Sequence, residues 1–240
     1  MPSAWNKDLV SRSEAVDLAF TGFWSNSVNL KCGTLFYNQN LPNDVFFNKL
    51  TKLTCLDDKI LNESLNLFEK YNTVPYIYTL NNKDFEKKLE KNFKLYDVQH
   101  VLIKIPKTAT TRQARRISYH ESLLWSEIFC NAYDCPEWID SVDEIVKKSS
   151  STIGYYVDES SSSCVALYES NSMLGLYCLG TISSMRKKGL AASLVEFALN
   201  QTKSHNLDFL MLETYGRDHL LDFYFKLDFE EIYQKNIYTI

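Results

Sequence analysis

The hydrophobic period of this chain changes at one glycine, and that change restricts the possible folds more than any other feature. Met173 to Ile182 (MLGLYCLGTI) is an apolar run that reads as a strand, its two glycines pointing to a bulge or a close backbone approach. After Gly189 the apolar residues Leu190, Leu194, Val195, Ala198 and Leu199 recur on one face of a helix reaching about His205-Asn206. Leu207 to Tyr215 (LDFLMLETY) is nearly continuously apolar, as expected of a strand covered on both faces and parallel to the one before the helix. The connection into the helix, Arg186-Lys187-Lys188-Gly189-Leu190-Ala191, is basic.

A helix amino terminus presents unsatisfied N–H groups and a partial positive charge, so it attracts phosphate. Arg186, Lys187 and Lys188 add to that attraction, and a glycine at 189 lets ligand oxygens approach the backbone. Upstream, Thr152 to Asp158 and Cys164 to Tyr168 form a hairpin around the polar turn Glu159 to Ser163, which is expected to be flexible. Downstream come a short aromatic helix, roughly Asp218 to Leu227, and a final strand, EIYQKNIYTI.

Three antiparallel strands, R-x-x-G-x-A opening a helix, a buried strand and then FYFKLDF form an order that resembles the GNAT superfamily of acetyl-CoA-dependent N-acetyltransferases. Arg186, Gly189 and Ala191 match its R/Q-x-x-G-x-G/A signature, Phe223 to Phe229 is similar to its "LYEKLGF" segment, and Leu176 to Thr181 to its "LYNVAT" strand. The resemblance covers roughly residues 110 to 240. It implies that the backbone of Lys187, Lys188, Gly189, Leu190 and Ala191, with Arg186, holds the coenzyme A pyrophosphate. Leu179, Gly180 and Thr181 would pair with the pantetheine arm as an added strand, a splayed sheet making room for it. The oxyanion donor would be a backbone N–H near Leu179 or Gly180.

By the same resemblance Tyr224 is the acid that protonates the departing thiolate; read as a residue alone, between Phe223 and Phe225, it is a core aromatic. The strand from Met173 to Ile182 holds no carboxylate, so Glu213 is the candidate base, with Glu169 in reserve and His219 a lone histidine nearby in sequence. The pattern is broken at Asp228, where glycine is usual, at Ser183, where proline is frequent, and at Arg217, near a position often held by asparagine.

The implied fold class is α+β, a GNAT-like mixed, mostly antiparallel sheet flanked by helices, in a tandem two-domain arrangement. Residues 1–106 would be a degenerate GNAT-like domain, or an unrelated α/β cap, and 107–240 the acetyltransferase domain. In the first half, Thr73 to Leu80, Asp84 to Asn92 and Leu95 to Ile105 read as strand, helix and strand, an order that imitates the carboxyl end. Trp5, Trp24, Phe46 and Phe47 are candidates to line an acceptor groove, and Thr108 to Lys148 reads as helical with a break at Cys135-Pro136.

A net charge of -4 argues against nucleic acid as main partner, and Arg112 to Arg116 reads as a solvated helix face. Six dispersed cysteines and four histidines show no metal-site spacing, so no metal is expected and the thiols read as reduced. With no secretory leader and no apolar run long enough to span a bilayer, the expected setting is cytoplasmic, away from membranes. Two functions follow: acetyl transfer from acetyl-CoA to an amine, or a noncatalytic acyl-CoA-binding regulatory or interaction module.

Overall fold

A computed structural model describes residues 7–80, 82–106 and 112–240, so the indole of Trp5 lies outside the described residues. The first half of the chain runs α1 (Lys7–Trp24), β1 (Asn26–Leu30), β2 (Gly33–Tyr37), β3 (Lys49–Thr51), α2 (Asp58–Lys70), β4 (Ile77–Thr79), α3 (Lys83–Leu89) and β5 (Lys94–Lys104). The second runs β6 (Arg115–Arg116), α4 (Ser122–Tyr133), α5 (Ile139–Ser149), β7 (Gly154–Val157), β8 (Ser163–Ser170), β9 (Met173–Thr181), α6 (Leu190–Ser204), β10 (Phe209–Tyr215), α7 (Leu221–Lys226) and β11 (Glu230–Thr239). From β1 and again from β7, three strands precede a long helix, a strand, a short helix and a closing strand. The fold is mixed α+β, with mostly antiparallel pairing and flanking helices.

These elements form two compact units, both discontinuous in sequence, where the sequence suggested a single cut after residue 106. One, the carboxyl unit, contains the segment ending at Asp17, Leu102–Glu213 and Phe223–Glu230; the amino unit contains Leu18–Val101, Thr214–Asp222 and Glu231–Ile240. The reason lies in strand pairing: β11 is antiparallel to β4, with Ile237 opposite Tyr78, so the last strand completes the sheet of the amino unit.

In the amino unit β1, β2 and β3 are antiparallel, and β3 meets β4 in parallel at Leu50 and Ile77 after the crossover through α2. Its core gathers Leu35, Leu50, Leu61, Phe68, Ile77, Leu89 and Tyr238. Trp24 and Phe47, expected to line a groove, are instead core residues, buried and stacked with ring centroids 4.7 Å apart. Phe46 packs edge-on against Phe47. Cys32 and Cys55 form a disulfide, their Cα atoms 5.2 Å apart, which corrects the expectation of six reduced thiols. Spacing along the chain gives no hint of this pair, because the fold brings the β1–β2 turn to the segment before α2. Disulfides are rare in a reducing cytosol, so this bridge lends no support to the cytoplasmic setting expected from the sequence.

In the carboxyl unit β6, β7, β8 and β9 are antiparallel in sequence order, and β10 is parallel to β9, as the two-faced apolar run predicted. Leu194, Val195, Ala198 and Leu199 of α6 are buried, the face that the helical spacing marked. Arg115 and Arg116 are not on a helix: they form the edge strand β6, too short to carry any period. The break expected at Cys135-Pro136 is a left-handed Asp134 followed by a single turn from Pro136 to Trp138. The serine turn is ordered around Asp158, whose carboxylate accepts from the N–H groups of Ser160 (2.9 Å), Ser162 (2.7 Å) and Ser163 (2.6 Å). Among the described residues no helix is long and apolar enough to cross a membrane.

Candidate active site

Two strands of the carboxyl unit open a gap between them. β10 and β9 pair in register from Phe209 opposite Met173 to Leu212 opposite Leu176, and no farther. Beyond Leu176 β9 carries a bulge: Cys178 and Leu179 together face Val165 of β8, and Cys178 takes φ 54°. An extra residue of this kind bends a strand and increases its twist. The bulge anticipated for this strand is therefore at Cys178 and Leu179 rather than at a glycine. Gly180 serves close approach: a Cβ there would stand 2.7 Å from the Ala132 Cβ and 3.1 Å from the Tyr133 ring, so its bare backbone admits the end of α4.

β9 leads through a turn at Ser183–Met185 into an extended Arg186, then Lys187 at φ 62° and Gly189 at φ 82°. Gly189 is the N-cap of α6 and offers no side chain to the first N–H groups; the Ser193 N–H closes the first turn on the Gly189 carbonyl at 2.9 Å. Beyond its chain neighbours, nothing lies within 4 Å of where a Gly189 Cβ would be, so the left-handed backbone is what demands glycine there. Lys187 and Lys188 are exposed beside this helix end. The counterpart helix of the amino unit, α2, is closed: the Asp57 carboxylate accepts from the Ile60 N–H at 2.9 Å. An anion is thus favoured at α6 and disfavoured at α2.

No protein-family model and no curated protein sequence matches the chain. Solved structures do. A GCN5-related N-acetyltransferase from Kribbella flavida superposes with TM-score 0.66 at 13% identity, over 99% of this chain and 96% of its own. One from Sphaerobacter thermophilus gives 0.64 at 9%, over 88% and 81%. A tandem GNAT protein from the clavulanic acid biosynthesis pathway gives 0.59 at 9%, over 87% and 78%. The fold is that of the GCN5-related N-acetyltransferases.

Within this GNAT fold the residues singled out by sequence occupy different places. Lys187 to Ala191 form the helix start just described. Arg186 reaches back instead of out: its Nε donates to the Thr181 carbonyl at 3.1 Å and its Nη2 to the Ala132 carbonyl at 2.7 Å. Tyr224, on α7, is 5% exposed, edge-on to Phe223 and Phe229. Glu213, near the end of β10, is half-buried, and its carboxylate gathers with those of Glu14 and Asp17, one oxygen of each lying within 4.8 Å of the others. A search for Cys and His spacings misses that group because it is made of carboxylates alone, two of them from the distant α1.

Glu169 sits toward the far end of β8, opposite Leu174, and bonds His205 Nδ1 at 2.8 Å. Seven residues of strand separate Leu174 from Thr181, about 23 Å, so Glu169 is remote from the helix start. Arg217 and His219 belong to the amino unit. There the Arg217 guanidinium lies over the rings of Tyr96 (4.8 Å) and Tyr215 (5.3 Å) and pairs with Asp97 at 3.3 Å. Asp228 occupies a left-handed position, φ 56°, which is why glycine suits that place in the GNAT pattern; here Lys104 stands 3.7 Å from its carboxylate.

The open end of α6 therefore favours an anionic group. The β9 edge is a different matter, because side chains hold its carbonyls: Tyr133 donates its hydroxyl to the Leu179 carbonyl at 3.1 Å, beside the Arg186 bond to Thr181. Nothing in the local sequence marks Tyr133 apart from its place at the end of a helix.

Proposed function

We propose that the carboxyl unit transfers an acetyl group from acetyl-CoA to a primary amine. The observation that carries this reading is the conjunction of a strand pair parting beyond Leu176 and Leu212 with an uncapped, glycine-led helix at the end of the same strand. The amides from Lys187 to Ala191, with Lys187 and Lys188, would hold the pyrophosphate, and Leu179 to Thr181 the arm. When bound, the coenzyme supplies an acetyl thioester open to amine attack. Glu213 takes a proton from the incoming ammonium, and the carboxylates of Glu14 and Asp17 beside it make that place favourable to a cation. The Tyr224 hydroxyl holds the proton that the departing thiolate needs.

The repeated element order in the two halves supports a tandem pair of GNAT-like domains, the first without an anion site because Asp57 caps α2. The burial of Tyr224 supports the second reading, an acyl-CoA-binding module without turnover. Calorimetric titration with acetyl-CoA, beside the same titration of Gly189→Glu, tests the cofactor reading: micromolar binding by the parent and none by the variant is expected, and no binding by the parent refutes it. Thiol release with a panel of small amines, amino-terminal peptides and lysine peptides then separates the two functions. Under the first, Tyr224→Phe loses most turnover and keeps its affinity; unchanged turnover removes Tyr224 from the acid role.

A further inference from the structure

Two bonds across the open edge of β9 point to a device that the transfer reaction does not require. Successive residues of a strand present their carbonyls to alternate edges. The Ile182 N–H bonds Ser162, and the Gly180 carbonyl accepts from the Ser163 hydroxyl, so both face β8. The Leu179 and Thr181 carbonyls therefore face the other edge, where pairing with β10 has ended. These are the acceptors an added strand would use. In the structure both are taken, one by the Tyr133 hydroxyl and the other by Arg186.

We propose that Tyr133 is a latch on the carrier-arm groove, holding the Leu179 carbonyl until an amide of the pantetheine arm replaces it. The proposal rests on the acetyl-CoA reading above. Tyr133 is suited to letting go. It is the last residue of α4, followed by the left-handed Asp134, and half of its surface is exposed. Its ring lies against Phe129, centroids 4.7 Å apart, so a side-chain rotation frees the hydroxyl without unwinding the helix. Arg186 is not the latch, because its second bond, to the Ala132 carbonyl, ties it to the end of α4 and makes it the residue that positions Tyr133. Gly180 belongs to the same device, since only a residue without Cβ lets Ala132 and Tyr133 settle on the strand.

Closing the groove this way satisfies a carbonyl that would otherwise face the gap, and each binding event must first break that bond. Removing the hydroxyl alone therefore improves binding of whatever pairs with the edge. Tyr133→Phe keeps the ring and its contact with Phe129. Calorimetry is run on parent and variant with three probes: acetyl-CoA, S-acetylpantetheine, which is the arm alone, and adenosine 3′,5′-bisphosphate, which is the nucleotide alone. The expected result is affinity about fivefold tighter for the two arm-bearing probes, the worth of one net hydrogen bond, with the nucleotide unchanged.

Equal affinities in parent and variant for the arm-bearing probes overturn the latch while leaving the cofactor reading intact. Weaker binding by the variant overturns it as well, assigning the hydroxyl to holding the arm. A gain shared by the nucleotide probe refutes it in favour of a general loosening of the site. Absence of acetyl-CoA binding in both proteins removes the cofactor reading, and the latch with it.

Discussion

Gly180→Ala isolates the contact on which the site's architecture depends. The new Cβ would lie 2.7 Å from the Ala132 Cβ, whereas carbon atoms pack best at about 3.5–4.0 Å, so the end of α4 must retreat by roughly 1 Å. Gly180 does not have a positive φ, so alanine meets no backbone penalty, and in a strand it recovers about 0.5–1 kcal/mol of lost chain entropy. Overpacking costs about 1–3 kcal/mol, leaving a net loss of up to about 2.5 kcal/mol, or up to roughly 10 °C in melting temperature for a chain of this size. The assay is scanning calorimetry on Gly180→Ala, Ala132→Gly and the double variant. Because Ala132→Gly removes the opposing methyl, the double variant should be more stable than the sum of the two singles, by about 1 kcal/mol. A melting temperature above the parent's for Gly180→Ala, or no coupling in the double variant, would refute the account of α4 docking.

Other outcomes follow from features of each unit. Calorimetry should find one acetyl-CoA per chain, and a second equivalent site would mean that the Asp57 cap does not exclude phosphate from α2. Reduction of the Cys32–Cys55 bridge, which spans 23 residues, should lower stability by roughly 3 kcal/mol; an unchanged urea midpoint under reductant would count against the bridge. Burial alone would raise the Asp158 pKa, but bonds from Ser160, Ser162 and Ser163 outweigh it and hold the carboxyl below its ordinary value. Its stabilisation is therefore present above about pH 3.9 and lost as pH falls through the lower folded-state value. The stability gap between parent and Asp158→Asn, read from urea titrations, should shrink on acidification over that window, and a constant gap would discount the carboxylate.

What could be read in the sequence was whatever carries a period or a backbone demand. α6 and β10 stand out because a 3.6-residue stripe gives way to a continuous apolar run, and Gly189 because a left-handed N-cap needs it. β3 is three residues long and includes Lys49, fully buried with its ammonium 4.2 Å from the Phe46 ring, so it contradicts the pattern a strand should show. The pairing of Cys32 with Cys55 and the meeting of Glu213 with Glu14 and Asp17 depend on chain reversals that local sequence does not encode. The motif position of Arg186 marks it as a ligand to phosphate. Only the folded chain reveals its two carbonyl partners, because backbone acceptors leave no trace in residue identity.

The pairing of β11 with β4 also sets a schedule for synthesis. The amino unit waits for Glu231–Ile240, so its sheet stays open while some 130 residues are added, on the order of ten seconds at ribosomal speed. Throughout that interval the edge of β4 is an unpaired template, the kind that recruits strands from other chains. A nascent protein built this way benefits from a chaperone or from fast elongation, and a stop codon shortly before β11 would do its harm to the half of the molecule made first.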